Sequence, residues 1–228
     1  VYVPRWAHCD DNHAWVEVYV EGTWHFLGAC EPEEVLNRGW FTNAATRAVL
    51  VYARTFTDYG VEKQIAGRDG CVRFLNVTEH YAETKDLRIR VEDGENHPIS
   101  GASVSVEILN MAEFCSVLTL TTGADGTASL TMGLGDVLVR AWKDGRCSEA
   151  ICAAEEKELV LRLTEAPEKR GVCPAELEIR APKDGVTPWP VPDAAQRAVG
   201  RTRLKAADAA RERRLSAFRE DALQAAGI

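Results

Sequence analysis

The chain carries its strongest structural signal near its start, in the stretch His13-Ala-Trp-Val-Glu-Val-Tyr-Val-Glu-Gly-Thr-Trp24. Apolar and polar side chains alternate over residues 14–20, which is typical of a strand with one buried face. Glu21-Gly22 supplies a two-residue turn, because glycine adopts the positive φ that tight hairpin turns need. Residues 23–27 then form a second strand. The sequence therefore predicts a β-hairpin with a histidine at the start of its first strand.

The remainder of residues 1–82 favours strands of the same kind, and we expect this range to form one unit. Further runs rich in Val, Tyr, Phe and Trp predict strands at Val1–Trp6, Ala48–Arg54 and Cys71–Val77. A short helix is predicted over Glu33–Arg38, because Pro32 is well tolerated at the first turn of a helix. The first unit is therefore an antiparallel sheet with little helix.

Residues 86–164 change to short alternating runs separated by Gly-, Asp- and Asn-rich turns. Seven strands are predicted at roughly ten-residue spacing. They are Leu87–Val91, Ala102–Ile108, Ser116–Thr122, Ala128–Met132, Asp136–Ala141, Glu149–Ala153 and Leu159–Leu163. This spacing indicates an antiparallel, immunoglobulin-like β-sandwich, so the fold class of the whole chain is α+β and mostly β.

The last quarter of the chain differs in composition from both units. Residues 165–193 are rich in proline, including the run Pro188-Trp-Pro-Val-Pro192, and predict an extended linker or strap. Residues 194–228 are rich in Ala, Arg, Leu, Glu and Lys, which favours a helical tail. Its charges are of both signs, so we expect the tail to pack on this chain or on a missing domain and not to bind nucleic acid.

Composition excludes several classes of partner. The net charge of −8 argues against a nucleic-acid surface, which needs clustered positive charge. No apolar run approaches the ~20 residues of a membrane span, and no signal peptide precedes the first strand. Seven cysteines without a CxxC pair suggest reduced thiols and a cytoplasmic location. The start at Val1 without an initiator Met suggests a fragment, so the compartment stays open, and no cofactor is expected.

His13 is the candidate for chemistry. The two-residue period places His13, Trp15 and Glu17 on one face of the strand. An imidazole with an ordinary pKa near 6.5 can accept a thiol's proton near neutral pH, with a third group orienting its second nitrogen. The alternative is a surface histidine on a hairpin. Zinc is a further alternative, since ligand types are present at His8, Cys9, His13, His25 and Cys30, but their spacing fits no zinc motif.

The hairpin resembles the core of the transglutaminase-like superfamily, which includes transglutaminases, peptide N-glycanases and bacterial papain-like cysteine peptidases. The resemblance spans residues 1–82 and rests on His13-x-Trp15-x-Glu17-Val18 followed by Gly22-x-Trp24. It implies that His13 is the base of a Cys-His-Asp triad. It also implies that Trp15, with Trp6 on the strand entering the site, lies beside the substrate.

Two positions depart from the family pattern. The family's nucleophilic cysteine lies some tens of residues before the histidine, so it would belong to a segment N-terminal to Val1. Cys9 is too close to His13 to be that residue. The family's acid position falls on Gly28, and we expect Glu31, or with less support Glu33, to orient His13 instead.

The sandwich resembles the carboxypeptidase-regulatory-like or transthyretin-like modules found beside many bacterial enzymes. Val91-Glu-Asp-Gly94, Pro98-Ile-Ser-Gly101 and Thr121-Thr-Gly-Ala-Asp-Gly126 carry this resemblance. It implies turn and core roles for these residues and no chemistry. The module is expected to be a rigid appendage or a glycan- or protein-contacting spacer.

Together these features predict part of a transglutaminase-like hydrolase or acyltransferase that acts on a protein or peptide. A cysteine thiolate would attack an amide, with His13 as base and Glu31 as its orienting group. The chain alone is expected to be inactive and to bind no metal. The alternative is a non-catalytic binding or scaffold protein that retains the fold, which Gly28 at the acid position favours.

Overall fold

The structure is a computed structural model that describes residues 1–8, 11–56, 64–68, 72–165, 178–180, 182–185, 205–206 and 208–217. Within these residues the chain is mostly β, with antiparallel sheets and few helical residues. The sequence predicted this level of the fold correctly. None of the described helices is long and apolar enough to cross a membrane.

The N-terminal region forms a six-stranded antiparallel sheet in the order β3-β2-β1-β4-β6-β5. Its strands are β1 (Tyr2–Val3), β2 (His13–Val20), β3 (Thr23–Gly28), β4 (Tyr52–Thr55), β5 (Gln64–Arg68) and β6 (Val72–Asn76). The predicted hairpin is confirmed as β2 and β3. Its turn residues Glu21 and Gly22 both have positive φ, +52° and +83°, as a twisted two-residue hairpin turn requires.

Local predictions in this region were less accurate. Glu33–Arg38 is not helical, and the helix predicted there is wrong. Asn37 takes a φ of +61°, and its N–H donates to Phe26 O at 2.9 Å, so the loop folds back onto β3. A four-residue helix, α1 (Thr42–Ala45), follows instead. The strand predicted from Val1 to Trp6 is reduced to Tyr2–Val3, because Pro4 has no N–H for the ladder.

The C-terminal region contains two sheets, joined to the first sheet by a 3-10 helix at Thr78–His80. The strands are β7 (Thr84–Glu92), β8 (Ser103–Asn110), β9 (Glu113–Thr121), β10 (Thr127–Gly133), β11 (Val137–Lys143), β12 (Arg146–Cys152), β13 (Glu158–Arg162) and β14 (Thr164–Glu165). One sheet has the order β10-β7-β13 and the other β14-β12-β11-β8-β9. β13 pairs with β7 in parallel, a departure from the all-antiparallel prediction.

Apolar residues of both C-terminal sheets share one buried core, which makes the region β-sandwich-like. In β7 alternate side chains are buried, as expected for a strand with one face in the core. A second core fills the N-terminal region and is rich in aromatic rings. The division predicted between residues 82 and 86 stays a prediction, and the two regions pack closely against each other.

Residues 48–51 make much of this contact. Val49 and Leu50 belong to the core of the sandwich, and Gly133 N–H donates to Val49 O at 2.9 Å. Side-chain amides of Asn76 and Asn110 also reach across, donating to Thr131 O and Trp6 O. The strand predicted from Ala48 therefore begins only at Tyr52, because the preceding residues are committed to the sandwich.

The predicted linker and tail lie largely outside the described residues. The described portions of the linker, residues 178–180 and 182–185, lie over the junction of the two regions. Arg180 contacts Asp136 on the sandwich, while Gly185 N–H donates to Thr46 Oγ1 at 2.9 Å on the N-terminal side. Residues 205–206 and 208–217 of the predicted tail are helical.

Candidate functional site around His13

His13 begins strand β2 and lies opposite Val3 of β1. Three aromatic rings surround its imidazole. The ring centroids of Trp40, Phe41 and Trp15 lie 4.6, 4.8 and 5.8 Å from that of His13. An aromatic wall therefore lies beside His13, and two of its three members come from the segment just before α1.

The environment of His13 disfavours its charged form. Burial lowers the pKa of the imidazole, and the negative charges of Glu31 and Asp11 oppose this shift without cancelling it. Nε2 is buried and has no hydrogen-bond partner among the residues that the structure describes. A buried polar atom without a partner costs free energy. A neutral imidazole with one unsatisfied nitrogen is chemically competent to accept a proton or a hydrogen bond.

Glu31, the predicted orienting group, acts on His13 through its charge. Its side chain is exposed, and no hydrogen bond joins it to His13 among the described residues. Gly28, at the position where the family carries an acid, ends β3. A Cβ at Gly28 would lie 2.6 Å from the backbone oxygen of Glu31. The chain thus folds back tightly over residues 28–31, which explains glycine there, and the orienting role of Glu31 stays a prediction.

Trp15 and Trp6, the predicted substrate-binding residues, lie in the N-terminal core. Their rings stack 6.4 Å apart with an interplanar angle of 3°, and Trp15 is only 3% exposed. Neither indole presents a face to solvent in this structure. Their role in substrate binding stays a prediction, and here they shape the wall behind His13.

A buried chain of polar groups extends from Trp15 along the face that also carries His13. Trp15 Nε1 donates to the Tyr81 hydroxyl at 2.8 Å, and that hydroxyl donates to Glu17 Oε1 at 2.5 Å. His80 Nδ1 lies 3.4 Å from the same carboxylate oxygen. Burial raises the pKa of Tyr81 well above its usual range, and the Glu17 carboxylate raises it further. The predicted alignment of Trp15 and Glu17 on one face thus allows both side chains to bond to the Tyr81 hydroxyl.

The loop that carries Trp40 is fastened to β3 through Asn37. The Asn37 side chain is buried; its Oδ1 accepts a hydrogen bond from Phe26 N–H at 2.9 Å, and its Nδ2 lies 3.1 Å from His25 Nδ1. The sequence interpretation missed Asn37, Trp40, Phe41 and Tyr81. For Asn37 a signal existed, because asparagine tolerates positive φ better than other residues with a Cβ.

The described residues do not support the alternative of a zinc site. Across the described part of the chain, no three His, Cys, Asp or Glu side chains are grouped as metal ligands. His25 pairs with Val18, so it lies on the opposite face of the hairpin from His13. Cys9 lies outside the described residues. The described cysteines, Cys30, Cys115, Cys147 and Cys152, are free thiols.

Comparison with known proteins gives no family for this chain. No protein-family model matches it, and no curated protein matches it. A solved structure designated "Crystal Structure of S.CueP" is similar at 10% sequence identity, covering 41% of this chain and 66% of that chain, with a TM-score of 0.29. A similarity at this level supports no statement about fold or function.

Proposed function

We propose that this chain supplies the base and the β-sandwich of a transglutaminase-like thiol enzyme, with His13 as the base. The observation that carries the proposal is the buried Nε2 of His13, which has no hydrogen-bond partner within the described part of the chain and lies beside aromatic rings at the start of a strand. A general base needs a ring nitrogen that can accept a proton when the donor arrives, and Nε2 has this capacity in the tautomer that carries its proton on Nδ1.

The reaction would proceed through an acyl-enzyme. A cysteine thiol from a segment outside this chain gives its proton to Nε2, and the thiolate sulfur bonds to the carbonyl carbon of an amide. The C–N bond then breaks, and the departing amine takes the proton from the imidazolium. Water resolves the thioester to a carboxylate, or a second amine resolves it to a new amide. Both paths restore the thiol.

Neighbouring groups would support the two charge states of His13 in turn. Burial favours the neutral imidazole, which is the form that accepts the proton. The negative charges of Glu31 and Asp11 favour the imidazolium, which is the form that exists while the thiolate attacks. Under this proposal Glu31 orients and stabilises the base, and the substrate is a protein or peptide.

The sandwich belongs to the same proposal as an accessory module. Seven of its eight described strands, β7 to β13, correspond in order and approximate position to the seven predicted ones, which favours an immunoglobulin-like, carboxypeptidase-regulatory-like module. Its close packing on residues 48–51 favours a rigid appendage to the catalytic region over a freely moving spacer.

Labelling of the complete gene product with iodoacetamide tests the catalytic role. We expect one cysteine to react fast near neutral pH, and His13→Gln to slow that reaction about tenfold or more, because loss of the imidazolium raises the thiol pKa by a unit or more. His97→Gln is the matched control, since His97 lies on an exposed loop with Asp93, and it should leave the rate unchanged.

Two results would contradict the proposal. One is a complete protein without any fast thiol, and the other is a fast thiol whose rate His13→Gln leaves unchanged in a folded protein. Either result would favour the alternative of a non-catalytic binding or scaffold protein.

A further inference from the structure

The three rings around His13 differ sharply in how they are held. Trp15 and Phe41 are 3% and 1% exposed, whereas Trp40 is 58% exposed. All three stand within 6 Å of the imidazole centroid. The wall around His13 thus has two buried members and one that faces solvent.

The buried members are fixed by contacts on several sides. Trp15 donates to Tyr81 and stacks on Phe41 with ring centroids 4.6 Å apart. Phe41 also packs on Phe26, at 5.7 Å. Displacing either ring would open a cavity in the aromatic core, which is strongly unfavourable for a residue of this size.

Trp40 has fewer constraints. Its ring meets Phe41 edge-on at 5.8 Å and His13 at 4.6 Å, and more than half of its surface already faces solvent. Rotation about its side-chain torsions would carry the indole away from these two rings. Exposed side chains change rotamer on fast timescales, so this movement needs no change in the backbone.

We propose that Trp40, whose indole packs against the imidazole in this structure, is a lid on His13 that must swing away before any group can bond to Nε2. The fixed rings, Trp15 and Phe41, form the floor of the same site. The proposal rests on the proposed function for the identity of the incoming group, the cysteine thiol. The movement of the lid itself can be tested on this chain alone.

A movable Trp40 would explain how Nε2 of His13 can act as a base although it is buried and has no hydrogen-bond partner among the described residues. With the lid closed, desolvation keeps the imidazole neutral. With the lid open, Nε2 gains either a partner or water, and its surroundings favour the charged form more. Under this proposal, the buried Nε2, which no described residue contacts by a hydrogen bond, is the resting arrangement of a site that opens on binding.

Carbethoxylation of His13 by diethyl pyrocarbonate tests the lid, with peptide mapping by mass spectrometry as the readout. The rate at His13 is divided by the rate at His97 in the same molecule, because His97 is exposed. We expect Trp40→Ala to raise this ratio several-fold and Trp40→Leu to raise it less. Trp142→Ala removes another exposed tryptophan, on β11, and should leave the ratio unchanged.

An unchanged ratio in Trp40→Ala would overturn the lid, as would an equal rise in Trp142→Ala. Should Trp40→Ala lose its fold, Trp40→Leu decides by the same criterion. The reaction needs no nucleophilic cysteine, so its outcome is independent of the iodoacetamide experiment. If the carbethoxylation experiment supports the lid and the iodoacetamide experiment finds no fast thiol, the lid on His13 stands and the proposed enzymatic function is wrong.

Discussion

The Tyr81 hydroxyl joins Trp15 to Glu17 across the N-terminal core. It accepts a hydrogen bond from Trp15 Nε1 at 2.8 Å and donates one to Glu17 Oε1 at 2.5 Å. Tyr81 is itself fully buried. One hydroxyl thus satisfies two polar groups on the strand that begins with His13, and it holds that strand to the segment after the 3-10 helix.

Replacement of Tyr81 by Phe should destabilise the protein by about 2–3 kcal/mol, because it removes the partner of the buried Trp15 N–H and one partner of the nearly buried Glu17 carboxylate. Urea denaturation measures this loss. Tyr19→Phe is the matched control, since Tyr19 is 59% exposed, and it should change the free energy of unfolding by less than about 0.5 kcal/mol. Equal effects of the two variants would show that the Tyr81 hydroxyl contributes no more to the free energy of unfolding than an exposed hydroxyl does.

The same hydroxyl predicts a dependence of stability on alkaline pH. The pKa of Tyr81 in the folded protein is raised by burial, and further by Glu17, so the folded state holds this proton more tightly than the unfolded state does. This contribution is complete below about pH 10 and is lost as the pH rises beyond it, by at most about 1.4 kcal/mol per pH unit. Wild type should therefore lose more stability than Tyr81→Phe between about pH 9 and pH 11. Parallel curves would contradict the raised pKa.

Asn37→Ala should loosen the loop that carries Trp40. The substitution leaves the buried Phe26 N–H without its acceptor and places Ala at a φ of +61°, for a total cost of about 2–4 kcal/mol. Asn96→Ala is the control for the backbone term, because Asn96 has a φ of +64° on an exposed loop and the bond that its Oδ1 accepts from Arg162 Nε is exposed to solvent. The difference between the two variants in urea denaturation measures the hydrogen bonds of Asn37, and no difference would contradict their importance.

The sequence predicted those parts of the fold whose causes are local. The hairpin of His13–Val20 and Thr23–Gly28 follows from alternation and a Glu-Gly turn, all within sixteen residues. The strands of the sandwich follow from turn residues at regular spacing. Neither signal depends on what the strands pack against, so both could be recognised without the structure.

The prediction failed where distant contacts override local preference. Residues 33–38 have helical composition, but Asn37 binds back to β3, so the segment forms a loop. Tyr81 lies 64 residues from Glu17, and no periodicity links them. Trp40 lies 27 positions after His13 in the sequence, and its place over the imidazole depends on how the loop returns to β2. Sequence patterns therefore could not predict the residues of the candidate site that lie beyond the hairpin.

Asp136 fastens residues 178–180 to the sandwich, and Asp136→Asn should weaken that attachment. Its carboxylate accepts hydrogen bonds from Arg180 N–H at 2.8 Å and Ala154 N–H at 3.0 Å. Burial alone would raise the pKa of Asp136, but the bonds from Arg180 and Ala154 lower it overall. We expect a loss of about 1–3 kcal/mol at neutral pH, because an amide cannot accept both bonds equally well.

The depressed pKa of Asp136 fixes the pH dependence of this loss. Its stabilisation is present above the unfolded pKa of about 3.9 and disappears as the pH falls through the lower folded value. The difference between wild type and Asp136→Asn should therefore shrink below about pH 4. Asp86→Asn is the control, since Asp86 is exposed and bonds to the Thr131 hydroxyl. A difference that stays constant down to pH 3 would contradict the assignment.

Gly133→Ala tests the contact between the two regions directly. A Cβ at Gly133 would collide with the carbonyl oxygen of Ala48, and relief of the collision would break the bond from Gly133 N–H to Val49 O. Backbone atoms cannot yield as a flexible side chain can, so we expect a loss of about 2–4 kcal/mol in urea denaturation. Gly94→Ala is the matched control, because nothing lies within 4 Å of its added Cβ. Similar stability of the two variants would show that β10 does not depend on residues 48–49 for its position.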